Sequence, residues 1–409
     1  MNLWRRTLLC SSAALSAASV FGSRAGAASA ASVTVAIASL YDLSGPFDVY
    51  GAPSNMCTEF AVKELNAAGG LLSKQIVLKA YDCQSHIKKG LQYAQQAALR
   101  NAVMAVGALT GAAREATRPV LRKYKVPYFY GSSYEGDACE QNIFCCNTEG
   151  NQQVVLLVER SFKTLGNKLY YIASDYNAPR TFGARNQVMA KREGGKALAD
   201  DYYPLDVTDF TAAIAKIRAA KPDFIHSFLV SGSSTSFYRQ WAAAGMLKKN
   251  PLISIIFGGG QEHEILAPEE INGIYAVYNS FEELDTPRNK AWRAFLKRWV
   301  KVMHTSMARR SVDTIQSCRG AEAVNRANSF DRDAVMKAWG TGITWEGPGG
   351  KMVTDGATHH TTQDVRIIRV ENRVWSLVAT KEQIQPDSYG DGCDFFAQPD
   401  LTEFLMPQM

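Results

Sequence analysis

From Val33 to Phe257 the chain alternates apolar runs of strand length with amphipathic segments of helix length, and this alternation constrains the fold more than any other feature. Val33 to Leu40, Gln75 to Asp82, Ala102 to Gly107 and Val126 to Tyr130 read as strands, with helices at Ala52 to Ala68, Ile87 to Leu99 and Ala112 to Tyr124 between them. The rhythm continues through strands at Lys168 to Ala173, Lys196 to Tyr203, Asp223 to Val230 and Leu252 to Phe257. Such repetition predicts an α/β fold of largely parallel sheets, because parallel neighbours need a crossover that lays a helix on the sheet. The two strands within Ala102 to Gly136 end in small and hydroxyl-bearing residues: Thr110 and Gly111, then Gly131, Ser132 and Ser133. Open α/β sheets bind ligands at such carboxyl-end loops, where the next helix's N-terminus points outward. These two loops are expected to form half of a small-molecule site.

A chain of 409 residues exceeds what one hydrophobic core holds, so at least two lobes are expected. The loop from Tyr134 to Asn151 is long for a strand-to-helix connection and predicts a passage between lobes. Further passages fall near Tyr278, where the alternation breaks, and near Gly347 to Gly350. The expectation is two Rossmann-like lobes, residues 32–148 with 279–348 and residues 149–278 with 349–385, joined by three hinge segments. Residues 386–409, rich in Gly, Asp, Pro and Phe without period, read as a surface tail.

Residues 1–31 read as a secretory signal: Arg5 and Arg6, an apolar run from Thr7 to Gly22, then small residues with Ala28-Ser29-Ala30 or Ala25-Gly26-Ala27 as the cleavage signal. The paired arginines leave twin-arginine and general export both open. No later apolar run approaches the roughly 18 residues that span a bilayer, so an exported, soluble protein in the periplasm is expected. Without this leader, which carries three arginines and no acid, the net charge of +6 falls to +3. That is too mild and scattered to suggest nucleic acid.

Export gives meaning to the cysteines. Cys57, on the first helix, and Cys83, just past the second strand, are expected to form a disulfide, since a βαβ unit sets these elements side by side. Cys139 is expected to pair with Cys145 or Cys146, Cys393 with the leftover member, and Cys318 to stay free. No C-x-x-C pair supports zinc. Glu262, His263 and Glu264 follow three glycines in a loop, and the adjacent His359 and His360 point to opposite sides of an extended chain, so no metal is expected. Gly107 to Ala113 lacks the G-x-G-x-x-G spacing of dinucleotide loops. No G-x-S-x-G elbow is present. No cofactor and no catalysis are expected.

Several pieces together carry a family resemblance: Tyr134-Glu135-Gly136, Asn142-Ile143-Phe144, Asn151-Gln152, Ser174-Asp175-Tyr176 with Pro179-Arg180, Tyr203-Pro204-Leu205 with Thr208-Asp209-Phe210, the run Ile217 to Asp223, and Gly347-Pro348. The chain resembles a type I periplasmic solute-binding protein of the branched-chain amino-acid ABC transporter group, closest to the branch that binds urea and short-chain amides. The resemblance spans roughly Val33 to Leu377. It implies a non-enzymatic capture protein that takes a small polar solute (amide, urea-like or amino-acid-like) between its lobes and delivers it to ABC permease subunits in the inner membrane. A ligand-sensing or interaction protein of the same fold is the alternative. The resemblance implies walls at Leu109, Thr110 and Gly111, at Tyr130, Ser132 and Ser133, and at Tyr176, Val230 and Ser231, with Glu262 where amino-acid binders hold the ligand's ammonium. Leu109 and Gly111 depart from the polar residues expected there and imply a roomier, less polar pocket. On physical grounds Thr110, Ser132 and Ser133 can donate and accept, while Tyr130 and Tyr176 supply flat faces and hydroxyls.

Overall fold

A computed structural model describes residues 34–136, 138–299, 317–387 and 392–402. The leader expected at residues 1–31 lies outside the described residues. The first sheet is wholly parallel, in the order β2-β1-β3-β4-β5. Its strands are β1 (Thr34–Tyr41), β2 (Gln75–Asp82), β3 (Ala102–Gly107), β4 (Tyr128–Tyr130) and β5 (Ile143–Cys145). Three helices connect them: α1 (Asp48–Ala67), α2 (Ile87–Leu99) and α3 (Gly111–Lys123). The alternation along β1 explains the double covering. Val35 and Ile37 join a core with Val62 of α1, Met104 and Trp339, whereas Ala38 and Leu40 join one with Ala94, Ala97 and Leu121 of α2 and α3.

The second sheet continues the pattern with β6 (Lys168–Ser174), β7 (Lys196–Tyr203), β8 (Phe224–Phe228), β9 (Leu252–Ser254) and β10 (Tyr275–Tyr278), parallel in the order β7-β6-β8-β9-β10. Its helices α4 (Leu156–Thr164), α5 (Asn177–Arg192), α6 (Thr211–Ala220) and α7 (Ser231–Ala243) flank it. Beyond β10 the sheet turns antiparallel through β11 (Ile343–Gly347), β12 (Gly350–Thr354), β13 (Thr361–Glu371) and β14 (Val374–Ile384). The helices Ser317–Ala327 and Arg332–Trp339 return to the first sheet, placing Ala321, Val324, Val335 and Trp339 in its core. The α/β class read from the sequence is the observed one. The loop after Tyr134 is less irregular than expected, because β5 forms within it and pairs with β4.

The cysteines correct the sequence reading. Cys139 is bonded to Cys393, with a Cα–Cα distance of 5.7 Å, and Cys57, Cys83, Cys145 and Cys146 are buried thiols. Cys57 and Cys83 do not bridge because they belong to opposite sides of the first sheet. Cys83 packs with α2 and α3, whereas α1 covers the face holding Val35 and Ile37. Burial beside Asp42 and Asp82 pushes the Cys83 thiol up to about 12. Cys145 ends β5 and is buried in one core of the first sheet, Cys146 follows it into the other, and the partner of Cys139 arrives from the tail. The Cys318 side chain lies outside the described residues.

Two enclosed histidines set a pH dependence. His226 on β8 faces Asn186 Oδ1 from Nδ1 at 3.1 Å, and burial pushes its pKa down to about 3. Burial does the same to His359, down to about 3, where it lies between the rings of Phe144 and Phe395. In the unfolded chain a histidine protonates near 6.5. Stability from these two groups is therefore complete above about pH 6.5 and is lost as pH falls toward 3, at up to about 1.4 kcal/mol per pH unit for each. Burial raises the carboxyls of Asp42, Glu140 and Glu262, which act in the opposite sense. A comparison of variants separates the two effects: the drop in urea midpoint from pH 7 to pH 5 should shrink in His226→Gln, and an equal drop would refute this account.

Candidate functional site

The carboxyl ends of both parallel sheets face one cavity of about 890 Å³, counted with its open mouth. The first sheet's side contributes Phe47 and Tyr50 from the turn into α1, Leu109, Thr110 and Gly111 between β3 and α3, and Tyr130, Ser132, Ser133, Glu135 and Asn147 beyond β4 and β5. The second sheet's side contributes Tyr176 and Ala178 at the start of α5, Phe228 and Val230 after β8, Ile255, Ile256 and Gly259 after β9, and Tyr278 and Asn279 after β10. Parallel strands explain the convergence, since all their C-terminal loops open on one edge of each sheet.

Most polar groups of the wall hold the wall itself. The Tyr130 hydroxyl donates to the Leu109 carbonyl at 3.1 Å, and the Ser132 hydroxyl donates to the Ala108 carbonyl at 3.2 Å. Thr110 caps α3, its Oγ1 accepting from the Ala113 N–H at 3.2 Å. Ser133 Oγ lies 3.3 Å from Thr148 Oγ1 and accepts from Gln153 Nε2 at 3.1 Å. The Tyr130 proton is thus engaged within the wall, while its oxygen keeps its capacity to accept. Across the cavity, Asn279 Nδ2 donates to Asn147 Oδ1 at 3.1 Å and to Gln363 Oε1 at 2.8 Å.

Tyr176 is different. Its ring meets Phe47 and Phe228 edge-on at centroid distances of 6.3 and 6.2 Å, and its hydroxyl makes no hydrogen bond among the described residues. Burial, with the Glu135 carboxylate nearby, pushes its phenol well above the usual range. It therefore presents a protonated hydroxyl, able to donate and accept, at the meeting of the two walls.

Of the residues expected from the sequence, Leu109, Thr110, Gly111, Tyr130, Ser132, Ser133, Tyr176 and Val230 are brought together. Ser231 and Glu262 stand outside the lining. Ser231 opens α7 at φ +60°; its N–H donates to the Tyr50 hydroxyl at 3.3 Å and its own hydroxyl donates to the Pro46 carbonyl. It thus ties the second sheet's loop to the turn ahead of α1. The Glu262 carboxylate accepts from the N–H groups of Gly258 and Gly260 at 2.8 and 3.0 Å and from Ser234 Oγ at 2.9 Å, closing the glycine loop around itself. Sequence reasoning passed over Phe47, Tyr50, Phe228, Tyr278, Asn147 and Asn279. Phe47 and Tyr50 could have been flagged as aromatics in the exit loop of β1, the same kind of position as Tyr130.

The sequence profile described as periplasmic binding protein matches residues 34–374, most of the chain. The chain belongs to the periplasmic binding protein family. A relative in Brucella abortus (strain 2308), "Leu/Ile/Val-binding protein homolog 7", is 24% identical over 344 residues, which cover 79% of this chain and 85% of the relative. Among solved structures, an amino acid ABC transporter substrate-binding protein from Pseudomonas fluorescens Pf-5 shares the fold with a TM-score of 0.79 at 18% identity, over 89% of this chain and 99% of that one. A solute-binding protein of an ABC transporter from Rhodopseudomonas palustris BisB5, solved with 3,4-dihydroxybenzoic acid, has a TM-score of 0.76 at 19% identity, over 88% and 99% of the two chains. Periplasmic binding proteins of ABC transporters carry solutes and are not enzymes. No helix among the described residues is long and apolar enough to cross a membrane.

Proposed function

We propose that this periplasmic binding protein captures a small organic solute with a flat or branched apolar body and delivers it to an ABC permease in the inner membrane. The observation that carries this reading is the cavity itself, built from the strand ends of both sheets and faced by Phe47, Tyr50, Tyr130, Tyr176, Phe228 and Tyr278. Rings and aliphatic groups would bury the solute's body, and a few fixed polar groups would orient it. Leu109, Thr110, Gly111, Ser132, Ser133 and Val230 complete the proposed contact set. Two lobes, one built around each sheet, with residues 343–347 belonging to the second, would close over the solute about their connecting segments. Residues 1–31 would direct export and be cleaved from the mature protein. The bound aromatic acid of the Rhodopseudomonas neighbour, and the Leu/Ile/Val-binding protein of which the Brucella relative is named a homolog, support this size class.

Isothermal titration of refolded, ligand-free mature protein with aromatic acids, branched-chain amino acids and their carboxamides tests the proposal. At least one compound should bind, and Tyr176→Ala should weaken it about tenfold or more, roughly 1.4 kcal/mol, with the thermal midpoint little changed. Silence across the panel would overturn the reading.

A further inference from the structure

The helices α3, α5 and α7 begin beside the cavity, at Gly111, Asn177 and Ser231. Helix N-termini favour carboxylates, so an acidic solute entering this space would be drawn toward them. At the first two the chain has put a carboxylate of its own. Glu135 Oε1 lies 3.0 Å from Arg114 Nη2 in the first turn of α3 and accepts from Asn177 Nδ2, at the start of α5, at 3.1 Å. The space over the helix end is filled by this arrangement. A Cβ added to Gly111 would stand 2.2 Å from Glu135 Oε1 and 2.5 Å from Asn177 Nδ2, which is why this position is glycine. Glu135 is 1% exposed, faces the cavity, and its second oxygen, Oε2, has no hydrogen-bond partner among the described residues.

Charge argues in the same direction. Among the described residues the cavity is lined by no Lys, Arg or His. Arg114 answers the charge of Glu135 from behind the wall, and no lining cation remains to receive a second carboxylate. Two carboxylates in an apolar space repel with little water to screen them. An N–H or a cationic group, by contrast, would meet Glu135 favourably, as charge-assisted hydrogen bonds do.

We propose that Glu135 makes this cavity select against carboxylate solutes: it occupies the helix ends where an acid would bind and leaves room for a solute that presents a neutral or cationic hydrogen-bond donor beside an aromatic or branched apolar body. This rests on the reading of the cavity as the solute site. Discrimination then comes from a residue of the wall rather than from the shape of the pocket, since acid and amide of one skeleton have nearly the same shape.

Matched pairs test this directly. Titration of the mature protein with benzamide against benzoate, and with isoleucinamide against isoleucine, should show at least a tenfold preference for the amide in the pair that binds. Glu135→Gln should shift that ratio toward the acid by at least tenfold. Because Glu135→Gln removes the buried carboxylate from Arg114 and leaves it only Glu115, the double variant Arg114→Met with Glu135→Gln is read in its place if the single variant does not fold. An acid that binds as tightly as its amide overturns the selectivity while leaving solute capture intact. An amide preference that survives both variants unchanged overturns the role of Glu135. If no member of either pair binds while another solute does, the proposed donor chemistry is wrong, and if nothing binds at all, the solute-site reading falls with it.

Discussion

Arg114→Met should lower folding stability by about 3–5 kcal/mol, the range for removing one partner of a buried ion pair. Arg114 is fully enclosed. Its guanidinium reaches Glu135 at 3.0 Å and Glu115 at 2.9 Å, and it lies over the rings of Tyr130 and Tyr134 at 5.0 and 4.7 Å. Burial alone works against the charge, but Glu135, Tyr130 and Glu115 outweigh it and hold the group protonated. Methionine fills much of the volume but leaves Glu135 buried without its cation, and that stranded charge accounts for most of the expected loss. Adding Glu135→Gln removes the stranded charge, so the double variant should recover about 1–3 kcal/mol of it. Urea denaturation of the four proteins closes the cycle. A loss below about 1 kcal/mol in Arg114→Met would show that the pair contributes little.

The second large effect is expected at the tail. Cys139→Ser should cost about 2–4 kcal/mol, because its disulfide with Cys393 ties residues 254 positions apart and restricts the unfolded chain. Both cysteines are buried and pack with Phe395. Around them the Phe395 N–H donates to the Ala357 carbonyl at 2.8 Å and Arg118 Nη1 donates to the Thr402 carbonyl at 3.1 Å. With the packing of the Phe395 ring against His359, these contacts hold the tail among the described residues, and loss of the bond should also expose it. Limited proteolysis should clip Cys139→Ser near residues 392–402 well before the parent, and non-reducing peptide mapping of the parent should recover the Cys139 and Cys393 peptides joined. Equal proteolysis rates would mean that the tail is held by packing alone.

The strand ends of the first sheet were legible from the chain because they rest on local pattern. Ala102 to Gly107 and the run ending at Tyr130 are apolar over strand length and finish in small residues, and the loops that follow do form cavity wall. β5 was not legible. Ile143–Cys145 is too short to show a period and exists as a strand because β4 offers it a parallel edge. Ser231 looked like a ligand residue by position, yet its hydroxyl is drawn to the Pro46 carbonyl, a partner supplied by the first sheet's side. Glu262 looked available for an ammonium, but the loop folds back so that the N–H groups of Gly258 and Gly260 reach it first.

The cysteines divide along the same line. Spacing placed Cys57 and Cys83 in one βαβ unit, and that much is correct. Which face of the sheet each one meets depends on the strand order: with β1 between β2 and β3, right-handed crossovers lay α1 and α2 on opposite faces, and that order is not written in the spacing.

By itself, then, the sequence determined the α/β alternation, the parallel sheets and the strand-end loops that line the cavity, because hydrophobic period and turn chemistry are local properties of the chain. Only the tertiary structure decided what those loops present. Gly111 reads as an empty place in the sequence, a missing polar side chain. In the fold it is the room made for Glu135, which comes from another loop and brings Arg114 and Asn177 with it. A glycine's lack of a side chain is a fact of sequence, but the identity of the group that fills the space it leaves is a matter of distance between residues far apart in the chain.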